Sequence, residues 1–270
     1  MRIVIKFGGS LLSDLSLQMD LIKQTARLRS EGHEIIIVHG GGKQLGSMLE
    51  RLGIVSRFHE GLRITDEETR DVAQMLLAGK INKDIVAALS SVGCRAVGIC
   101  GGDSFSFQAK RFVADDGKDL GFVGQVIKTQ DELINVLLAA KMIPVIACLA
   151  IGEADYQYYN VNADQMAAAV AVACRPQQLI FATDVGGVRG EDGQMLAQLD
   201  RNLIDSLLRS GAITGGMRPK LRACLEALEA GVPRISIISG AAPDALARSV
   251  RGETVGTTIK TLECGDWSPL

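Results

Sequence analysis

The sequence predicts an α/β protein: a three-layer αβα sandwich with a mainly parallel central sheet. Two observations carry this expectation. Short β-branched runs alternate with longer helical patterns along the chain, the βαβ signature of a parallel sheet. Most of those runs are apolar at consecutive positions, so both faces of the sheet need cover by helices. Size agrees with a single large core. The chain has 270 residues, 47% hydrophobic and 22% charged, an ordinary globular balance.

Strands are expected at residues 2–6, 34–39, 96–100, 143–147, 179–183 and 234–239. Helices fill the gaps. Thr65 with Glu68 has the form of a capping box and opens a long helical stretch to about Val92. Thr129 with Glu132 does the same for residues 131–140, and Asn162 with Gln165 for residues 163–174. Residues 104–128 break the alternation. Polar and apolar residues alternate there around a glycine turn, which predicts β-hairpins inserted antiparallel at one end of the sheet. There is no internal repeat and no Pro/Ser-rich linker, so residues 1–270 are expected to form one domain. Its best seam is Arg175-Pro176, dividing a lobe 1–175 from a lobe 176–270. The tail, residues 265–270, holds the only tryptophan and shows no pattern.

Composition excludes several classes. Net charge is −2 and no basic run occurs, so no nucleic-acid surface is expected. Aromatic residues are only 4% of the chain, which argues against base-stacking platforms. The start, MRIVIK, is too short an apolar run for a signal peptide, and nothing in the chain suggests a membrane span. A cytoplasmic protein is expected. The six cysteines (Cys94, Cys100, Cys148, Cys174, Cys224 and Cys264) form no C-x-x-C pair and read as buried thiols in a reducing compartment.

Glycine-rich turns carry the chemistry. In "VHGGGK", the strand 34–39 runs into Gly40, Gly41, Gly42 and Lys43. A phosphate-binding P-loop needs G-x-x-x-x-G-K-[ST], and Gln44 breaks that pattern. The dinucleotide fingerprint G-x-G-x-x-G fails at Leu45. A strand, a glycine turn and a helix start nevertheless make an anion site from backbone N–H groups and the helix dipole. "IVIKFGGS" places Lys6 and Gly8-Gly9-Ser10 at the end of the first strand. Lys6 is either an edge lysine or a partner for a polyanion. In a parallel sheet the carboxyl ends lie on one edge, so the two turns can face each other across a crevice.

Three further stretches are weaker. In "NVNADQ", Asp164 lies in a helix first turn, as a dipole partner or as an orienter of cations. In "TGGMRPK", Lys220 lies near a helix start, a position more reasonable if an anion shares it. "ATDVGGV" ends the strand 179–183 with an acid and two glycines, suited to a nucleotide.

Together these stretches resemble the amino acid kinase family, from "KFGGS" to "VGTTI" at residues 255–259. Within it they are most similar to the branch acting on N-acetyl-L-glutamate, through "VHGGG", "GLRITD" (61–66), "LGFVGQV" (120–126), "NVNADQ", "TDVGGV" and "GGMRPK". The resemblance implies the amino acid kinase fold. It implies ATP-dependent phosphorylation of the side-chain carboxylate of N-acetyl-L-glutamate, a step of arginine biosynthesis.

Roles follow from the resemblance. Lys6 and Lys220 would neutralise the transferring phosphoryl group, and Asp164 would hold both ammonium groups. Gly9, Gly40 and Gly41 would offer N–H groups to the phosphoryl oxygens and the attacking carboxylate. Arg63 would bind a substrate carboxylate with its planar fork, and Asn160 the rest of the acylated head. Thr183, Asp184, Gly216 and Met217 would line the nucleotide pocket. Mg²⁺ would ride on the ATP phosphates, because no carboxylate cluster suggests a dedicated metal cage. A homodimer is expected, with the helical stretch 66–92 at its contact. Family members inhibited by arginine tend to carry an extra helix before the first strand, which here begins at Arg2, so the resemblance implies insensitivity to arginine.

The chain departs from this pattern in places. "KFGGS" is closer to aspartokinases, Lys43 stands where proline is common, and Cys100-Gly101-Gly102-Asp103 replaces Ser-Gly-Lys-Asp. Aspartokinase and a kinase for carrier-bound aminoadipate are therefore the competing enzymes. A non-catalytic sensor is the competing class.

Overall fold

β-branched runs become strands close to where they are expected. The structure, a computed structural model, describes residues 1–190, 192–213 and 215–260. Cys264, the tail 265–270 and Thr214 of "TGGMRPK" lie outside the described residues. In chain order the strands are β1 (Arg2–Phe7), β2 (Glu34–His39), β3 (Phe58–His59), β4 (Leu62–Arg63), β5 (Ala96–Ile99), β6 (Phe107–Val113), β7 (Asp119–Thr129), β8 (Ile143–Ala147), β9 (Leu149–Gly152), β10 (Tyr158–Asn160), β11 (Gln178–Thr183), β12 (Val188–Arg189), β13 (Met195–Leu196), β14 (Gln198–Leu199), β15 (Ile235–Ser239) and β16 (Thr257–Ile259). The α-helices are α1 (Leu15–Ser30), α2 (Gly42–Arg51), α3 (Glu67–Ala73), α4 (Asn82–Ser91), α5 (Glu132–Ala139), α6 (Ala163–Cys174), α7 (Arg201–Ser210), α8 (Met217–Glu229) and α9 (Ala245–Val250).

The central sheet runs β14-β16-β15-β11-β1-β2-β8-β5. Only the β15–β16 junction is antiparallel. Helices α6 and α8 pack together on one face, and α1, α4 and α9 on the other. This is the three-layer sandwich. Covered on both sides, the strands are apolar through their middles: Ile3, Val4, Ile5 and residues 35–38 are fully buried, with polar residues such as Lys6 and His39 at the strand ends. One apolar cluster runs from Ile3 to Ile259 across the Arg175-Pro176 seam.

Register positions the site. β1 lies between β2 and β11, with Lys6 opposite Val38 and Phe181, and Phe7 opposite His39 and Ala182. Three strand ends therefore open side by side at the point where chain order reverses. That is where ligands collect in open α/β sheets.

Three local expectations need correction. The helix at Glu67 is capped by Asp66, whose carboxylate accepts from the Thr69 N–H, not by Thr65. Thr65 is still tied to a strand: its N–H donates to the Leu120 carbonyl, and its carbonyl accepts from Phe122. Thr129 does not cap α5. It pairs with Phe107 in the β6–β7 ladder, and the Asp131 carboxylate accepts from the Asn135 amide instead. Residues 104–128 give one long hairpin, not a separate set, and it joins β9 and β10 in a small closed barrel. Asn162 does cap α6, accepting from the N–H groups of Asp164 and Gln165.

The long helical stretch to Val92 exists, but its middle, Gln74–Ile81, is π-helical. The described cysteines are all free thiols, with Cys94 half-buried and the others buried. Among the described residues no helix is long and apolar enough to cross a membrane.

Candidate active site

Lys6, Asp164 and Lys220 meet at one carboxylate oxygen. Lys6 Nζ lies 2.8 Å and Lys220 Nζ 2.9 Å from Asp164 Oδ1. Three different elements deliver them: the end of β1, the first turn of α6 and the first turn of α8. All are nearly closed to solvent, at 7%, 7% and 5% exposure. Burial favours the neutral Asp164 carboxyl, but the two ammonium groups outweigh it and hold the carboxyl at about 2. Burial and the Lys6 charge push Lys220 down, against the pull of Asp164. Two cations on one anion leave a net positive centre in a dry setting, an arrangement able to stabilise a nearby anion.

The two glycine turns do face each other. A side-chain carbon on Gly9 would sit 3.6 Å from the Gly42 nitrogen and 3.9 Å from the Gly41 nitrogen. The first N–H groups of α2 have no intrahelical acceptor, so they are available in this gap. On the other side, the Gly8 N–H donates to the Ala182 carbonyl of β11 at 2.9 Å.

A cavity of about 220 Å³ opens from the gap. It gathers Lys6, Gly9, Gly40, Gly41, Arg63 and Asn160, all singled out in the sequence. Arg63 ends β4, with its guanidinium 4.6 Å over the Phe58 ring and Nη2 donating to the Gly42 carbonyl at 3.0 Å. Nη1 donates to Ser56. Its other N–H groups remain for a ligand. Asn160 touches Thr65 only through a long 3.4 Å contact, which leaves its amide nearly uncommitted. Among the described residues no Asp or Glu lines this cavity.

Thr183 and Asp184 lie at the end of β11, outside that lining. Thr183 Oγ1 donates to Asp184 Oδ1 at 3.1 Å. Burial pulls the Asp184 carboxyl up, but hydrogen bonds from Ser10 and Thr183 and the Lys43 charge leave it net lowered. Gly216 and Met217 open α8 beside Lys220. Cys100, Gly101, Gly102 and Asp103 also lie outside the cavity lining. Gly102 faces the Tyr158 hydroxyl, which a side chain there would strike. Among the described residues no three His, Cys, Asp or Glu side chains converge on a metal-sized site.

Sequence reasoning missed the apolar wall, formed by Leu45, Phe58, Leu62, Leu77, Val123 and Val161. These residues come from five separated segments, and no spacing in the chain links them. It gave no separate role at the site to Ser10, to Cys148 or to the buried pair His39 and Asn82.

Comparison with known proteins agrees with this fold. The profile of the Amino acid kinase family matches residues 1–239. Acetylglutamate kinase from Acidobacterium capsulatum is 46% identical over 248 residues, covering 91% of this chain and 94% of the relative. The acetylglutamate kinase of Agrobacterium fabrum is 40% identical over 266 residues, covering 95% and 90%. Among solved structures, smu.665 from Streptococcus mutans superposes with a TM-score of 0.83 at 27% identity, covering 97% of this chain and 99% of that one. An N-acetylglutamate synthase from Neisseria gonorrhoeae, complexed with coenzyme A and N-acetyl-glutamate, gives 0.85 at 25% identity over 97% of this chain and 60% of that one.

Proposed function

The chain belongs to the amino acid kinase family, and from that premise we propose that it transfers the terminal phosphoryl group of ATP to the side-chain carboxylate of N-acetyl-L-glutamate. The products are N-acetyl-L-glutamyl 5-phosphate and ADP, a step of arginine biosynthesis. A carboxylate oxygen forms the new P–O bond while the bond to the β-phosphate oxygen breaks, and the electron pair leaves with ADP. The attacking carboxylate is already ionised at neutral pH, so no general base is needed. What the protein supplies is position and charge.

One observation favours an acylated substrate. The cavity is lined by two cations, Lys6 and Arg63, and by no carboxylate among the described residues. A free amino acid such as aspartate would bring an ammonium group with nothing to pair it, at the cost of stripping its water. An N-acetyl amide carries no charge, and the Asn160 amide can both donate to it and accept from it. The apolar wall suits the acetyl methyl group. The most similar relatives reported above are acetylglutamate kinases, which supports the same reading.

In this reading Lys6 and Lys220 stabilise charge on the moving phosphoryl group, and Asp164 fixes their spacing. Gly9, Gly40 and Gly41 donate N–H groups to the reacting oxygens. Thr183, Asp184, Gly216 and Met217 hold the nucleotide, on the part of the chain after Arg175. Mg²⁺ travels on the ATP phosphates, where it neutralises their charge. The protein works as a homodimer through the helical stretch 66–92, on which Met75 is 67% exposed.

Trapping the acyl phosphate with hydroxylamine tests the reaction. Hydroxamate is expected with ATP and N-acetyl-L-glutamate, and little with aspartate, glutamate or aminoadipate. A larger rate with aspartate would overturn the substrate assignment. Arg63→Ala is expected to raise KM for the acid about 10–100-fold, the worth of ~1.5–3 kcal/mol for a hydrogen bond to a charged group. Since Arg63 also braces the Gly42 carbonyl, kcat should fall by a smaller factor. Steady-state kinetics in both substrates separate the two effects.

A further inference from the structure

His39 ends β2 directly before the glycine turn. It is fully buried, and the proposed transfer gives it no role. Both ring nitrogens are engaged. Nδ1 lies 2.9 Å from the Gly40 carbonyl oxygen, and Nε2 lies 3.1 Å from the Asn82 amide nitrogen. A carbonyl only accepts and an amide nitrogen only donates. The contacts therefore select one neutral tautomer, with the proton on Nδ1. Burial favours the same state, lowering the ring to about 4 despite the Gly40 hydrogen bond.

Asn82 is equally fixed. Its amide nitrogen also donates to the Val145 carbonyl of β8 at 2.9 Å, and its oxygen accepts from Lys83 Nζ at 3.2 Å. Gly98 of β5 makes room, because a side chain there would collide with the Asn82 amide. A buried network with its groups satisfied is rigid.

Asn82 follows the π-helical segment, and its N–H donates to the Leu77 carbonyl five residues back. Such segments are rare and concentrate at functional sites. This one touches the glycine turn directly. Leu77 and Ile81 pack so tightly on Gly41 that a side chain there would strike both. The helix thus braces Gly41 by packing and Gly40 through His39.

The Gly40 carbonyl and the Gly41 N–H belong to one planar trans peptide, so they point in opposite directions. Holding the oxygen on the His39 side aims the N–H away from His39. We propose that His39, Asn82 and the segment Gln74–Ile81 form a positioning device that orients this peptide for phosphoryl transfer. It rests on the proposed function, in which Gly40 and Gly41 meet the reacting oxygens. His39 and Asn82 are positioning residues that touch no substrate.

The test compares His39→Asn with His39→Gln. The asparagine amide stands near the Nδ1 position and keeps a donor for Gly40. The glutamine amide reaches the Nε2 position and does not. His39→Gln is expected to lower kcat on the order of 10²-fold, the scale of a small misplacement at a reacting centre, with KM for ATP nearly unchanged. His39→Asn should recover to within about tenfold of the wild type. Equal kcat losses in both variants, tracking their urea midpoints, would mean a purely structural histidine and overturn the proposal. So would full activity of His39→Gln. A wild-type protein that phosphorylates no acid would instead overturn the proposed function. Calorimetry with inorganic tripolyphosphate then decides the positioning claim: tighter binding by His39→Asn than by His39→Gln supports it, and equal binding overturns it.

Discussion

Lys220→Ala is expected to lower kcat by about 10²–10³-fold, the scale for losing one preorganised charge-stabilising group. The change should appear in kcat and not in KM for the acid, because Lys220 does not line the cavity proposed to take the acid. The fold should survive. Lys6 stays 2.8 Å from Asp164 Oδ1, so the buried carboxylate keeps a partner. Lys6→Ala is expected to act in the same way, with an added KM effect, since Lys6 does line the cavity.

The pH profile provides an independent handle on the same residue. Burial and the neighbouring Lys6 charge depress Lys220 below the ordinary 10.5. The charged form is the working form. Activity is therefore present below the Lys220 pKa and lost as pH rises through it, at a pH under 10.5. Lys220→Arg keeps the charge and does not titrate in this range, so its alkaline limb should flatten even if kcat drops. An unchanged kcat in Lys220→Ala would remove Lys220 from the mechanism.

What the sequence reveals here depends on how local the cause is. Strands β1, β2, β8 and β11 are written as short runs of consecutive apolar residues, because the middle of a doubly covered parallel strand is buried on both faces. The α6 cap is legible because Asn162 and the two N–H groups it serves are adjacent in the chain. The Thr65 and Thr129 boxes mislead for the opposite reason. Each threonine matches the local pattern, yet each is held by a strand pairing set elsewhere in the fold. Likewise the strand-end glycines announce a candidate anion site through backbone chemistry that is local to each turn. That Lys6 and Lys220 share one oxygen of Asp164 is a fact of three converging elements. No spacing between residues 6, 164 and 220 encodes it. The His39–Asn82 contact is hidden twice over, by 43 residues of separation and by a π-helical turn that apolar periodicity does not register.

Asp164→Asn should be the more damaging change, although it leaves both lysines in place. The amide keeps the shape and loses the charge, so two buried ammonium groups face each other without a counter-ion. Breaking a buried ion pair by removing one partner costs about 3–5 kcal/mol, and a drop in the urea midpoint is expected alongside a kcat loss of at least the ~10² scale of Lys220→Ala. The stability difference should depend on pH in a defined direction. The native Asp164 carboxyl sits at about 2, below the ordinary 3.8. A carboxyl depressed on folding stabilises the native state above the ordinary value, and that contribution disappears as pH falls through the folded one. The gap between wild type and Asp164→Asn should thus be wide at neutral pH and narrow between 3.8 and about 2. Its expected change is about 2 kcal/mol, from the size of the shift. Losing Asp164 also removes the charge attraction, and weakens the hydrogen bonding, by which that carboxylate holds a proton on Lys220. The alkaline limb of the variant should move to lower pH than that of the wild type. A gap that stays constant with pH, or an alkaline limb that stays in place, would mean that the three charges do not act as one unit.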